Sequence, residues 1–426
     1  MKKSKKAAIY SALFMGAGQL YNRDWIKAIF FAMIEIVTLL NIFNGVVYHS
    51  IWGLITLGET RGINGDHSIN LMLNGILTLI LLIVVGLIYI YNIRDAKHVR
   101  EKIEKGINPF KPSEYLKYIW NNYFPHILLA PSAALILFFT FLPILFTILI
   151  AFTNYSGPYH LPPGNLVDWI GFKNFIKLFK MEEWSGTIWA VGIWTILWAI
   201  ITTALNYFAG LGLALLTNAK GVKFKKFWRS LFILPYAIPA FISLLIFRLV
   251  FMGPGPVNTV LLNTGVISEK IPFLTDHMLA KIMVILVYCW TGAPYWMALM
   301  SGVLTNIDKS LYEAADIDGA TKWQQFYKIT VPMVLFQTAP LLIMTFAHNF
   351  NNFGMIYLLT SGNPVNANYK YAGSTDILIS WIYKMTLEKR QFGMAAAVTL
   401  LLFIFVASIA IYSFRRTKSF KEEDMI

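Results

Sequence analysis

Apolar residues in this chain come in long unbroken blocks and not in the stripes of an amphipathic helix or a half-buried strand. A bilayer core about 30 Å thick is crossed by about 20 apolar residues in a helix. Eight blocks reach that length: Trp25–Tyr48, Ile69–Asn92, His126–Phe152, Gly186–Leu216, Trp228–Met252, Met278–Leu304, Val331–Phe353 and Phe392–Phe414. The longest segments between them are Ile93–Pro125, Thr153–Ser185 and Gly354–Gln391, none large enough for an independent enzyme domain. The pattern predicts an all-α polytopic membrane protein with about eight transmembrane helices.

Composition agrees, since 57% hydrophobic and 14% charged residues lie far from the roughly 25% charged content of soluble domains. Cys289 stands alone, which excludes a disulfide framework. The apolar run Ala7–Leu20 follows Lys2, Lys3, Lys5 and Lys6 as in a signal peptide, but no small-x-small cleavage site follows it. It is expected to be a retained interfacial or re-entrant helix.

The formal net charge of +14 would suit a nucleic-acid binder, were it not for where the charges fall. With the N-terminus inside, most Lys and Arg lie in cytoplasmic segments, above all in Arg94–Lys117 and Lys220–Arg229. This is the positive-inside asymmetry. It predicts a multi-pass protein of the cell membrane with both termini cytoplasmic and no nucleic-acid partner. Arg248 and Lys281, near span ends, can reach the interface with their long stems.

No phosphate loop, HExxH zinc spacing or GxSxG elbow is present, and the seven histidines are scattered. No catalytic residue, resident cofactor or metal site is expected. The spans hold one carboxylate, Glu35. It leaves open a proton-coupled secondary transporter with Glu35 as relay, because intramembrane charges are costly and kept for function.

The polar segment Thr305–Thr330 carries helix signals. Ser310-Leu311-Tyr312-Glu313 and Thr321-Lys322-Trp323-Gln324 each fit a capping box, and Gly319 between them fits a helix stop. Trp323, Phe326 and Tyr327 share one helix face. Two short helices with a glycine joint predict a docking element for a partner.

Glu313-Ala314-Ala315, three residues, Gly319, nine residues and then Ile329-Thr330-Val331-Pro332 closely resembles the EAA loop of ABC-importer permeases, with Val331 in place of the usual Leu. Arg229–Pro239, Gly171–Phe175, Asn351–Thr360 and Phe392–Ala397 are similar to the larger permease subunit of maltose and maltodextrin importers. Gly16-x-Gly18-Gln19-Leu20-Tyr21-Asn22 is similar to Gram-positive maltodextrin permeases. The resemblance implies a type I ABC-importer permease core with two extra N-terminal spans. Residues 1–117 would hold the N-terminal helix, two spans and a basic loop, residues 118–420 a six-span core with its coupling loop at 305–330, and residues 421–426 a tail. The enterobacterial subunit carries a folded domain after its third span that Thr153–Ser185 is too short to contain.

The same resemblance implies an ATP-driven importer of maltodextrin or another neutral oligosaccharide. Its partners would be a second homologous permease, two ATP-binding subunits holding ATP and Mg, and an extracellular solute-binding protein. Glu313, Ala314, Ala315, Gly319 and Pro332 would carry the ATPase coupling. A neutral sugar needs aromatic faces and uncharged polar groups converging in a cavity. Tyr288, Thr291, Gly292 and Tyr295 share one face of the sixth span, and Thr345, His348, Asn349 and Asn352 share one of the seventh. These positions match the sugar pocket of the resembled maltose permease. Tyr295, Gly292, Asn349 and Asn352 are the same residue types there, Thr345 exchanges one hydroxyl for another, and Tyr288, Thr291 and His348 differ in kind. Pro235 and Pro239 are expected to break and bend the fifth span.

Overall fold

The computed structural model describes residues 2–62, 65–107, 112–161, 164–219 and 221–416. Among them no strand forms, and only two isolated bridges, Thr153 to Trp169 and Val365 to Gly373, interrupt the helical pattern. Among the described residues eight helices are long and apolar enough to cross a bilayer: Trp25–Phe43, Ser68–Glu104, Tyr123–Ile150, Glu182–Asn218, Ala240–Asn263, His277–Thr305, Lys322–Phe350 and Phe392–Tyr412, spans one to eight. Each expected block has its helix, with shifted ends. Span one stops at Phe43 because Gly45 turns the chain at φ +76°, and a separate short helix, Val46–Thr56, follows. The expected loop Ile93–Pro125 is largely helical, since span two runs on to Glu104 and a new helix starts at Pro112. Gly354–Gln391 likewise contains Leu378–Tyr383 and most of Phe353–Thr360, and Thr153–Ser185 contains Lys173–Lys180. Such short or half-polar helices escape a search for 20-residue apolar blocks.

Contacts group the chain into two compact units, Met1–Gly171 and Phe172–Ile426. The tail at 421–426 lies outside the described residues.

In the first unit the N-terminal helix Lys3–Leu13 packs on span two. The seam is polar. Gln19 Nε2 donates to the Asn92 carbonyl at 2.9 Å, Asn22 Nδ2 to the Ala96 carbonyl at 2.7 Å, and Asn92 Nδ2 to the Ser11 carbonyl at 3.1 Å. The Gly16-x-Gly18 signature now has a steric cause. A Cβ on Gly18 would stand 2.2 Å from the Ala7 carbonyl oxygen, and Gly16, at φ +91°, would set one 2.4 Å from the Ala28 oxygen. Span two stays helical beyond its apolar stretch because this seam uses Asn92 and Ala96.

The second unit is built around spans four and six. Both have 39% of their apolar window buried, against 17% for spans five and seven. Trp194 and Trp198 of span four meet Val284 and Val287 of span six at one level. Tyr207 and Leu211 meet Trp296, Met297 and Met300 at another. Lipid is as apolar as these side chains, so close van der Waals fit and hydrogen bonds must hold the pair. Gly210 supplies the fit, because a Cβ there would lie 2.3 Å from Trp296 Cβ and 2.9 Å from the Met297 amide nitrogen.

Span five takes in the helix before Ala240 as well, so that the block expected at Trp228–Met252 is divided between two helices. Lys225–Ala237 ends, Ile238 is extended, and Ala240–Phe251 begins after Pro239. The expected break is present at Pro239, which lacks the N–H that would continue the ladder; Pro235 sits inside the first helix.

Gly210→Ala should lower the Tm of the detergent-solubilised protein by an amount corresponding to about 1–3 kcal/mol. Gly212, with nothing within 4 Å of its virtual Cβ, is the internal control. Gly212→Ala should leave Tm unchanged or raise it slightly through helix propensity.

Candidate functional site

The break in span five opens a cavity of about 720 Å³ against spans six and seven. Its wall holds seven of the eight residues singled out from the sequence. Tyr288, Thr291, Gly292 and Tyr295 line it from span six, as do Thr345 and His348 from span seven and Asn352 just beyond that span. Helix periodicity brings the first set to one face. Asn352 keeps its place by capping the helix Phe353–Thr360, accepting from the Met355 amide at 3.4 Å.

Asn349 is the exception. It lies behind the wall, fully buried. Its Nδ2 donates to Thr202 Oγ1 at 3.1 Å and Thr203 Oγ1 at 2.8 Å, and its Oδ1 accepts the Tyr288 hydroxyl at 2.6 Å. Its own carbonyl accepts the Trp198 indole N–H at 3.1 Å. Four partners on spans four and six thus claim a residue expected to face the cavity. The rotation of about 100° from one helical residue to the next puts Asn349 on the face that packs on span four, while His348 and Asn352 line the cavity.

Sequence reasoning missed Asn206, Tyr236 and Trp296, which also line the cavity. Tyr236 follows Pro235, and its ring stands 6.1 Å from that of Tyr295, which in turn contacts Trp296 at 5.8 Å. An aromatic beside a proline break was the available signal. Asn206 carried none, because a lone amide in an apolar span is as often helix glue as lining.

The wall contains hydroxyls, amides, aromatic faces and one imidazole, and neither a carboxylate, a lysine nor an arginine. An ion would therefore meet no carboxylate, lysine or arginine, whereas an uncharged polyol finds donors, acceptors and ring faces in the same wall. Among the described residues no group of three His, Cys, Asp or Glu could hold a metal. Glu35 belongs to the first unit, and every cavity residue belongs to the second.

The second candidate region follows span six. A helix Lys309–Ile317 is capped by Asp308, whose side chain accepts the Ser310 amide at 2.9 Å. The cap lies two residues before the expected Ser310, because the aspartate reaches the amide two positions on. That bond, with a second from the Ser310 side chain, holds the exposed Asp308 carboxyl below its ordinary range. Gly319 turns the chain at φ +73°, and the Thr321–Gln324 capping box forms as expected. The second short helix is not separate. Lys322–Gln325 passes through a wide turn, Phe326–Thr330, into Val331–Phe350, so one continuous helix carries both regions. The wide turn lies where Pro332 can neither donate to the ladder nor clear the carbonyl four residues back.

Glu313, Ala314, Gly319 and Pro332 are exposed and Ala315 is half-buried. The expected aromatic face divides. Trp323 and Tyr327 are 69% and 60% exposed, while Phe326 packs against the core of spans four and six. Ile317 is 87% exposed. Large apolar side chains are thus displayed on a polar knuckle.

Comparison with known proteins gives a consistent picture. Residues 206–418 match the family model of the binding-protein-dependent transport system inner membrane component. The galactooligosaccharides transport system permease protein GanP of Bacillus subtilis is 38% identical over 98% of this chain and 99% of its own length. The maltodextrin transport system permease protein MalC of Streptococcus pneumoniae is 39% identical over 99% of this chain and 97% of its own. A crystal structure of a bacterial ABC transporter involved in alginate import shares the fold at a TM-score of 0.57 and 21% identity. That match covers 72% of this chain and 99% of that one.

Asn349→Leu should destabilise the protein by about 1–3 kcal/mol, because it removes the donor to the buried Thr202 and Thr203 hydroxyls and the acceptor of the Tyr288 hydroxyl. Thr345→Ala, which removes only a bond to the Leu341 carbonyl of its own helix, should cost less than about 0.5 kcal/mol. Thermal unfolding in one detergent, both variants side by side, checks the contrast.

Proposed function

The chain belongs to the family of binding-protein-dependent transport system inner membrane components, and from that premise we propose how it works. It is the membrane permease subunit of an ATP-driven importer of neutral oligosaccharides, maltodextrins first among them. The observation that carries this is the uncharged polar and aromatic cavity at the break of span five. The cavity offers a saccharide the groups it needs and offers an ion no carboxylate, lysine or arginine.

The chain forms half of a translocation path, with a second homologous permease supplying the other half. An extracellular binding protein delivers the sugar, and both termini lie on the cytoplasmic side. Two ATP-binding subunits hold ATP and Mg and perform the hydrolysis; this chain is non-catalytic. Their grip falls on the knuckle around Glu313, Ala314, Ala315 and Gly319, where Ile317, Trp323 and Tyr327 stand in solvent as apolar anchors. The loop's motion reaches the cavity through the continuous helix that begins at Lys322.

A second reading within the same class is a galactooligosaccharide. Its support is the near-equal identity to GanP and MalC.

In proteoliposomes holding the assembled importer and its binding protein, ATP-dependent uptake of maltotriose should exceed that of a galactotriose by at least tenfold; the reverse ratio supports the second reading. Uptake of neither overturns the proposal. Tyr295→Ala should abolish uptake while the binding protein keeps its affinity. Gly319→Asp should leave ATP hydrolysis running while uptake falls more than tenfold, because φ +73° disfavours a side chain.

A further inference from the structure

The wall behind the cavity fixes which way its protons point. Thr202 Oγ1 gives its proton to the Trp198 carbonyl one turn back, at 2.5 Å. A hydroxyl has a single proton, so toward Asn349 this oxygen can only accept. It receives Asn349 Nδ2, and Thr203 Oγ1 receives the same nitrogen. With the amide nitrogen committed to the two threonines, Asn349 Oδ1 faces Tyr288 and takes the phenol proton. Turning the amide over would set its oxygen against the lone pairs of Thr202, an arrangement with no proton to share.

The Tyr288 oxygen therefore enters the cavity as an acceptor only. We propose that Thr202 is a specificity-determining positioning residue, which acts through Asn349 to make Tyr288 demand a hydroxyl proton from the ligand. Thr202 has a matching effect through its main chain. Its carbonyl accepts Asn206 Nδ2 at 2.9 Å, which turns Asn206 Oδ1 toward Gly292. That oxygen is buried and has no partner, and a Cβ on Gly292 would lie 2.5 Å from it. Asn206 Oδ1 is buried and stays behind the wall, so the group that carries this polarity into the cavity is the Tyr288 oxygen, an acceptor without a spare proton. A sugar hydroxyl satisfies such a group. A carboxylate or a fluorine, which can only accept, has no proton to give it and loses a tenfold factor or more.

This inference rests on the oligosaccharide reading above, and unmodified maltotriose separates the two. The test uses the assembled importer in proteoliposomes with a panel of maltotrioses, each carrying fluorine in place of one hydroxyl. Binding-protein affinities are measured separately so that its own preferences can be divided out. In the unaltered importer one position should show at least a tenfold loss of uptake. Thr202→Ser keeps the hydroxyl and should keep that loss. Thr202→Val removes it, lets Asn349 turn over against Thr203, and frees Tyr288 to donate; the loss should shrink to about threefold or less. Where the Val variant does not assemble, Thr202→Ala makes the same comparison. Equal loss in all variants, or no discriminating position in an importer that moves maltotriose, overturns the role of Thr202. An importer that moves no neutral oligosaccharide overturns the function on which it stands.

Discussion

Inside a bilayer, apolar surface gains little by leaving lipid for protein, so the second unit depends on how closely spans four and six can approach. Gly210 sets that approach at one level and Gly292 at another, each admitting a neighbour into the space a side chain would fill. Tryptophans and methionines then interlock around them. Span seven joins this pair through Asn349, which ties it to Thr202, Thr203, Trp198 and Tyr288. The same contacts that hold the helices together therefore fix the back wall of the cavity. The stability of the helix pair and the shape of the cavity share one set of atoms.

The broken fifth span is the complement of that rigid wall. Ile238 and Pro239 interrupt the ladder on the cavity's other side. Backbone irregularity at membrane depth is tolerated where it lines a cavity or is buried in protein. One side of the cavity is thus a packed helix pair and the other is a helix interrupted at Ile238 and Pro239.

Much of this was legible in the sequence. Spans emerged from block length, because burial in lipid selects composition directly. The wall residues emerged from spacing, since the helical period alone put Tyr288, Thr291 and Tyr295 on one side. Asn349 was misplaced for an equally physical reason. A polar residue on the edge of a face can turn toward ligand or toward a neighbouring helix, and the deciding partners, Thr202 and Thr203, lie some 150 residues earlier in the chain. The continuity of Lys322–Phe350 was hidden by Pro332, which reads as a helix start and is instead absorbed by a wide turn. The N-terminal seam was illegible for the same reason as Asn349: its asparagines and glutamine have meaning only beside Asn92 and Ala96.

That unbroken helix has a mechanical consequence. Its 29 residues reach about 43 Å at about 1.5 Å per residue, with Trp323 near one tip and His348 near the other. Pivoting such a rod by about 10° around its middle swings each tip by about 4 Å, more than the length of a hydrogen bond. A displacement at the indole end is thereby carried to the imidazole end, provided that the wide turn at Phe326–Thr330 and the helix around Pro340 hold their shape under load.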